Sequence, residues 1–159
     1  MNHDLTIVIP CKNEVDYIEH TLDSINNQIG VDNVDVIVAD ARSDDGTLEL
    51  LKDYRQRPST RFKLHIINGG AVAYARNTGS KFIKRRYIVF IDADVTLPSK
   101  ISLWMTYSLL QGSSDGSLPK YDLVTCNFES SVHHSFIKSA VFFKCISSCC
   151  KKPTYSEWL

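Results

Sequence analysis

The sequence predicts an α/β fold, a mostly parallel sheet flanked by helices in one main domain. Three observations carry this. Short β-branched runs alternate four times with amphipathic stretches, the pattern of successive strand–helix units. The first of these runs, Leu5 to Ile9, is apolar almost throughout rather than at every second residue, as in a strand buried on both faces. A chain of 159 residues, 43% hydrophobic and 23% charged, can also bury a sufficient core without metal or disulfide staples.

Each element follows from its residues. Leu5 to Ile9 is the first strand, closed by Pro10. Between Glu14 and Gln28, Ile18, Leu22 and Ile25 recur at helical spacing. Val34 to Ala39 is the second strand and ends at Asp40; Ser43-Asp44-Asp45-Gly46-Thr47 then reads as a turn and N-cap for a helix carrying Leu48 and Leu51. Phe62 to Ile67 forms the third strand before Asn68-Gly69-Gly70, and a helix runs from about Val72 to Ile83. Tyr87 to Ile91 is the fourth strand, after which Pro98 is expected near the first turn of another helix. Gln111 to Lys120, rich in Gly and Ser, reads as a loop. Tyr121 to Cys126 is a fifth strand and Phe136 to Cys150 a final helix with aromatic faces.

Eighteen basic residues balance eighteen acidic ones, so the total charge gives no support to a general nucleic-acid binder. The distribution is uneven. From Val132 onward Lys138, Lys144, Lys151 and Lys152 face only Glu157, a net +3 that leaves −3 on the first 131 residues. This divides the chain into a main domain, 1–131, and a basic apolar tail, 132–159, expected either to pack as a core helix or to lie on an anionic membrane surface. No apolar run reaches 18 residues, and the N-terminus lacks the pattern of a signal peptide. The five cysteines show no repeated C-x-x-C spacing and read as reduced thiols. A cytoplasmic protein, peripheral at the inner face of a membrane through that tail, is the expectation.

Ligands of open parallel sheets bind beyond the carboxyl ends of the strands. Here those ends read Pro10-Cys11-Lys12-Asn13-Glu14, Asp40, Asn68-Gly69-Gly70 and Asp92-Ala93-Asp94. Asp92 and Asp94, two residues apart at a strand end, can face one ion. Such hard oxygen donors suit Mg²⁺ or Mn²⁺ completed by water and phosphate. Asn68-Gly69-Gly70 entering a helix could cradle phosphate, with Arg76 one turn further on. The segment matches neither the dinucleotide-binding nor the P-loop glycine pattern.

Four segments resemble family 2 glycosyltransferases. Thr6-Ile7-Val8-Ile9-Pro10-Cys11-Lys12-Asn13-Glu14 is similar to that family's opening strand, Pro, two residues and Asn-Glu. Val38-Ala39-Asp40-Ala41-Arg42-Ser43-Asp44-Asp45-Gly46-Thr47 resembles its V-V-D-D-G-S-T-D-G-T segment. Ala75-Arg76-Asn77-Thr78-Gly79 resembles A-R-N-x-G, and Ile91-Asp92-Ala93-Asp94 its D-x-D motif. The order and spacing agree over residues 5 to 98.

The resemblance implies a GT-A fold and sugar transfer from a nucleoside diphosphate sugar, UDP- or GDP-linked, with Mn²⁺ or Mg²⁺. It implies that Pro10, Asn13 and Glu14 border the nucleoside, that Asp40 binds its base or ribose and that Arg76 lines the same pocket. Asp92 and Asp94 would serve ribose, diphosphate and metal. Many members use lipid-linked acceptors, which fits a membrane-facing tail. Two departures stand out. Arg42 occupies a position where the family usually has Gly. No carboxylate beyond Asp94, among Asp115, Asp122, Glu129 and Glu157, lies in a context resembling the family's catalytic base, so the base is unassigned and the chain reads as a donor-binding half. The alternatives are a non-catalytic nucleotide-sugar-binding or membrane-associated module, and a nucleotidyltransferase. The latter lacks its early Gly-rich loop here.

Overall fold

The computed structural model describes residues 4–81 and 85–112, together with the backbone of two strands at 123–128 and 138–144. Four strand–helix units come in succession: β1 (Leu5–Cys11), α1 (Ile18–Asn26), β2 (Asp35–Asp40), α2 (Thr47–Gln56), β3 (Lys63–Asn68), α3 (Val72–Ser80), β4 (Tyr87–Phe90) and α4 (Ser102–Gln111). Two further strands follow, β5 (Leu123–Phe128) and β6 (Lys138–Lys144). They form one sheet in the order β3-β2-β1-β4-β6-β5. β1 to β4 are parallel, while β6 runs antiparallel to both β4 and β5.

The expected helix over Phe136 to Cys150 is corrected by this sheet. Its described part, Lys138–Lys144, is a strand inserted between β4 and β5. Ala140-Val141-Phe142-Phe143 is short, aromatic and β-branched, and a run of that length satisfies either period. Two vacant strand edges then decide in favour of pairing. The membrane-facing helix drawn from this segment therefore does not form there, and Lys151 and Lys152 lie outside the described residues. No helix among the described residues is long and apolar enough to cross a membrane.

Alternate side chains of β1 feed two cores. Leu5, Ile7, Ile9 and Cys11 join Ile18, Leu22 and Ile25 of α1, Leu51 and Tyr54 of α2, and Leu103 and Leu110 of α4. Val8, Ile37 and Ile88 form the smaller cluster on the opposite face, where α3 lies. The helix sits close there because Gly79 has no Cβ; an added one would overlap Val8 Cγ1. Each buried Leu or Ile contributes about 1.5–3 kcal/mol, so the sheet with α1, α2 and α4 holds most of the stability.

Three element ends differ from the sequence expectation, each for a local reason. β1 continues through Pro10 to Cys11. The Val8 carbonyl accepts from Ile91 N, so Val8, and Pro10 two residues on, turn their backbone groups toward β4. That strand has already ended at Phe90, and the N–H that proline lacks costs no ladder bond. α1 begins at Ile18 rather than Glu14 because the loop after β2 takes the preceding amides: Asn13 N donates to Ser43 Oγ, Glu14 N to Thr47 Oγ1 and Val15 N to Asp45 Oδ2. α4 begins at Ser102, four residues after Pro98, since the intervening chain is tied to α1. Leu97 N donates to Ser24 Oγ, and Ser99 O accepts from Gln28 Nε2. Most of the predicted Gln111 to Lys120 loop lies outside the described residues, and the fifth strand sits two residues later than expected.

Candidate functional site

Because β1 to β4 are parallel, their carboxyl ends share one edge. Cys11, Asp40 and Asn68 stand level in adjacent strands. The strand order reverses between β1 and β4, the switch point where such sheets open a crevice. A cleft of about 550 Å³ lies on this edge, lined by Lys12, Arg42, Asn68, Gly69, Gly70 and Tyr74 together with Ala41 and Ala71. Its floor is backbone at Gly69, where a Cβ would stand 2.5 Å from Ala39 O. Only glycine lets β3 turn so close to β2.

The loop after β2 is tightly cross-linked. Asp40 is 5% exposed and accepts from Ser43 N at 3.1 Å and from Ser43 Oγ. Asn13 Nδ2 donates to Asp44 Oδ1 at 2.9 Å, and Asp44 N returns a bond to Asn13 Oδ1 at 3.1 Å. Asp45 accepts from Thr47 N and Oγ1 and from Val15 N. Bonds from Thr47 and Val15 hold its carboxyl below the usual carboxylate range, against a smaller opposing effect of burial. Gly46 enters α2 at φ +100°, a conformation that side chains rarely adopt. Asn13 and Arg42 also take positive φ, 55° and 59°. Asn tolerates this; Arg does so at a cost, and the turn that imposes it brings Arg42 to the cleft.

The end of β4 is built differently. Ile91, Ala93 and Val95 point into the core, while Asp92 and Asp94 are half-buried on the other side. Val95 N bonds to Asp92 O, closing a turn. The Thr21 hydroxyl donates to Ala93 O at 2.6 Å and anchors that turn to α1. Arg76 Nη2 lies 2.7 Å from Asp92 Oδ1, each side chain 38% exposed.

Of the residues singled out in the sequence, Arg76 and Asp92 pair at the β4 end, with Asp94 two residues further along the same turn. Asn13 and Asp40 meet in the β2 loop, with the Glu14 amide joined to it. Pro10 is buried within β1. Tyr74 and a polar stripe along α1 and just past its end, Thr21, Ser24 and Gln28, escaped sequence reasoning. Thr21, Ser24 and Gln28 recur at spacings of three and four, and all are buried. That regular polar face beside Leu22 and Ile25 was the available signal. Cys11 at the end of β1 is a free thiol pushed up to about 12 by burial, then by the charges of Asp40, Glu14 and Asp45. Such a thiol stays protonated at neutral pH and is a poor nucleophile.

Asp92 and Asp94 suit a hard divalent cation. Both offer oxygen, and Asp92 already holds one cationic group, the Arg76 guanidinium. Two carboxylates are an incomplete set for such an ion, with phosphate oxygens the usual complement. Among the described residues no cluster of three His, Cys, Asp or Glu could hold a metal unaided.

Comparison with known proteins gives the family and the fold. The family model for glycosyl transferase family 2 matches residues 6–156. The chain belongs to glycosyl transferase family 2. A poly(ribitol-phosphate) β-glucosyltransferase of Bacillus spizizenii is 32% identical over 119 residues, 73% of this chain and 19% of that protein. The uncharacterized glycosyltransferase EpsJ of Bacillus subtilis is 30% identical over 78% of this chain and 33% of its own length. The chain thus spans a third or less of these two curated relatives. Among solved structures, the mannosyltransferase PcManGT from Pyrobaculum calidifontis, in complex with GDP-Man and Mn²⁺, superimposes with a TM-score of 0.69 at 23% identity. It covers 89% of this chain and 44% of that one. S. aureus TarS in complex with UDP-GlcNAc gives 0.57 at 24% identity, over 67% and 31% of the two chains. The family 2 fold, GT-A in type, is therefore that of this chain.

Proposed function

We propose that this family 2 chain binds the nucleoside diphosphate sugar donor of a glycosyl transfer together with a divalent cation of the Mg²⁺/Mn²⁺ class. One observation carries the reading: a cationic cleft over β1 to β3 opens on the same sheet edge as the half-buried Asp92–Asp94 pair. A donor has a nucleoside at one end, a sugar at the other and a diphosphate between them, and the edge offers surfaces for the nucleoside and the diphosphate in that order. The nucleoside takes the cleft, where Tyr74 supplies a ring and Lys12 and Arg42 supply positive charge. Asp40 and Asn13 contribute by holding the turn that presents Arg42. The bare backbone of Gly69 and Gly70 allows close approach.

At the β4 end Asp92 and Asp94 would hold the metal, which when bound neutralises diphosphate charge and assists its departure. The surrounding residues bind and orient: Thr21 fixes the turn, and α3 brings Arg76 to the same place. Relatives named for poly(ribitol-phosphate) glycosylation support a polyol-phosphate polymer as the acceptor of the whole protein. Asp115, Asp122, Glu129 and Glu157 lie outside the described residues, and no general base is assigned. Isothermal titration of the chain with UDP and with GDP, each with and without Mn²⁺, tests the reading. Binding of at least one nucleotide that strengthens with Mn²⁺ is expected; absence of heat with either nucleotide in both conditions would sink it.

A further inference from the structure

Resting on the donor reading above, Arg76 has a role in the order of binding. Its guanidinium sits where a cation bound to Asp92 would otherwise be, 2.7 Å from Oδ1. That position does not fully satisfy it. Arg76 Nε is buried and has no hydrogen-bond partner, and a buried donor without an acceptor is costly. A diphosphate presents several charged oxygens to a planar five-donor fork and can bind it in a bidentate manner. A metal ion arriving alone offers nothing to the guanidinium and must displace a positive charge from Asp92.

We propose that Arg76 is a positioning residue that guards Asp92 against the metal until the donor diphosphate arrives, so that nucleotide binds before or together with the cation. The edge then carries counter-charge in both states, supplied by Arg76 in the first and by the metal in the second. Rigid packing makes the exchange local. α3 is seated on β1 through Gly79, and the 92–95 turn is pinned by Thr21, so the Arg76 side chain alone need move.

The test reads metal directly: titration of nucleotide-free protein with Mn²⁺, following loss of the free-ion electron paramagnetic resonance signal. Arg76→Gln should bind Mn²⁺ roughly fivefold or more tightly than the parent, the scale set by losing one partly exposed charge pair. Arg76→Lys, which keeps the charge, should stay near the parent. Arg76→Gln combined with Asp92→Asn should lose the gain. If Arg76→Gln binds Mn²⁺ no more tightly than the parent, the proposal fails. Should that variant not fold, Arg76→Met serves in its place: Mn²⁺ bound by the nucleotide-free variant at least roughly fivefold more tightly than by the parent supports the proposal, and binding no tighter than the parent's overturns it. A parent that binds neither nucleotide overturns the donor reading instead, while the comparison of nucleotide-free Mn²⁺ binding still reports on Arg76.

Discussion

The loops after β2 and after β4 both present paired carboxylates to one sheet edge, yet they use them in opposite ways. After β2, Asp40, Asp44 and Asp45 each accept hydrogen bonds from neighbouring backbone or side chains, reaching Ser43, Asn13, Val15 and Thr47. Those acids build the loop. After β4, the turn is closed by backbone and by Thr21 from beneath, and Asp92 faces a mobile type of partner, an arginine side chain. A carboxylate spent on amides of its own loop cannot leave them without opening the loop. One paired with a long cationic side chain can exchange that partner for a ligand. Similar motifs at two strand ends thus divide into a rigid wall and an exchangeable site.

The sharpest way to break the comparison is to remove one acid from each loop. Asp40→Ala leaves Ser43 N and Oγ without their buried acceptor and should cost about 2–3 kcal/mol, lowering Tm by about 5–10 °C. Thermal denaturation followed by circular dichroism measures it, and an unchanged Tm would remove Asp40 from the wall. Asp94→Asn should instead leave Tm nearly unchanged, as a half-buried position permits. It should reduce the Mn²⁺-dependent gain in nucleotide affinity by at least roughly tenfold. Calorimetry on that variant decides, and a large fall in Tm would show that the β4 turn is structural too.

The smallest effect concerns Asp45. Its carboxyl is lowered in the fold, so its contribution is present above the unfolded carboxylate value of about 4 and is lost as pH falls through the lower folded value. The parent should therefore lose stability below about pH 4 more steeply than Asp45→Asn, whose profile should be flatter there. Parallel denaturation curves for the two proteins over pH 2–5 would contradict the cap assigned to Asp45.

Much of this was legible in the residues. Apolar runs marked β1, β2 and β4, because a strand buried on both faces has little room for a polar side chain. β3, at the sheet edge, instead shows exposed Lys63 and His65 around Leu64. The alternation of Ile91, Asp92, Ala93, Asp94 and Val95 already separated core from edge. Other features depended on partners distant in sequence. Thr21, Ser24 and Gln28 look like ordinary polar positions until the chain near residues 93–103 lies against them and takes their hydrogen bonds. Arg42 reads as a surface arginine until the Asp40–Ser43 bonds fold its turn over the cleft. The strand at Lys138–Lys144 needed the open edge of β4, since a short apolar run has no period of its own and takes the one its neighbours impose. Local sequence determined which residues are buried and which end at the sheet edge; only tertiary structure decided which acids are tied down and which remain exchangeable, because hydrogen-bond partners are set by the packing of elements far apart in the chain.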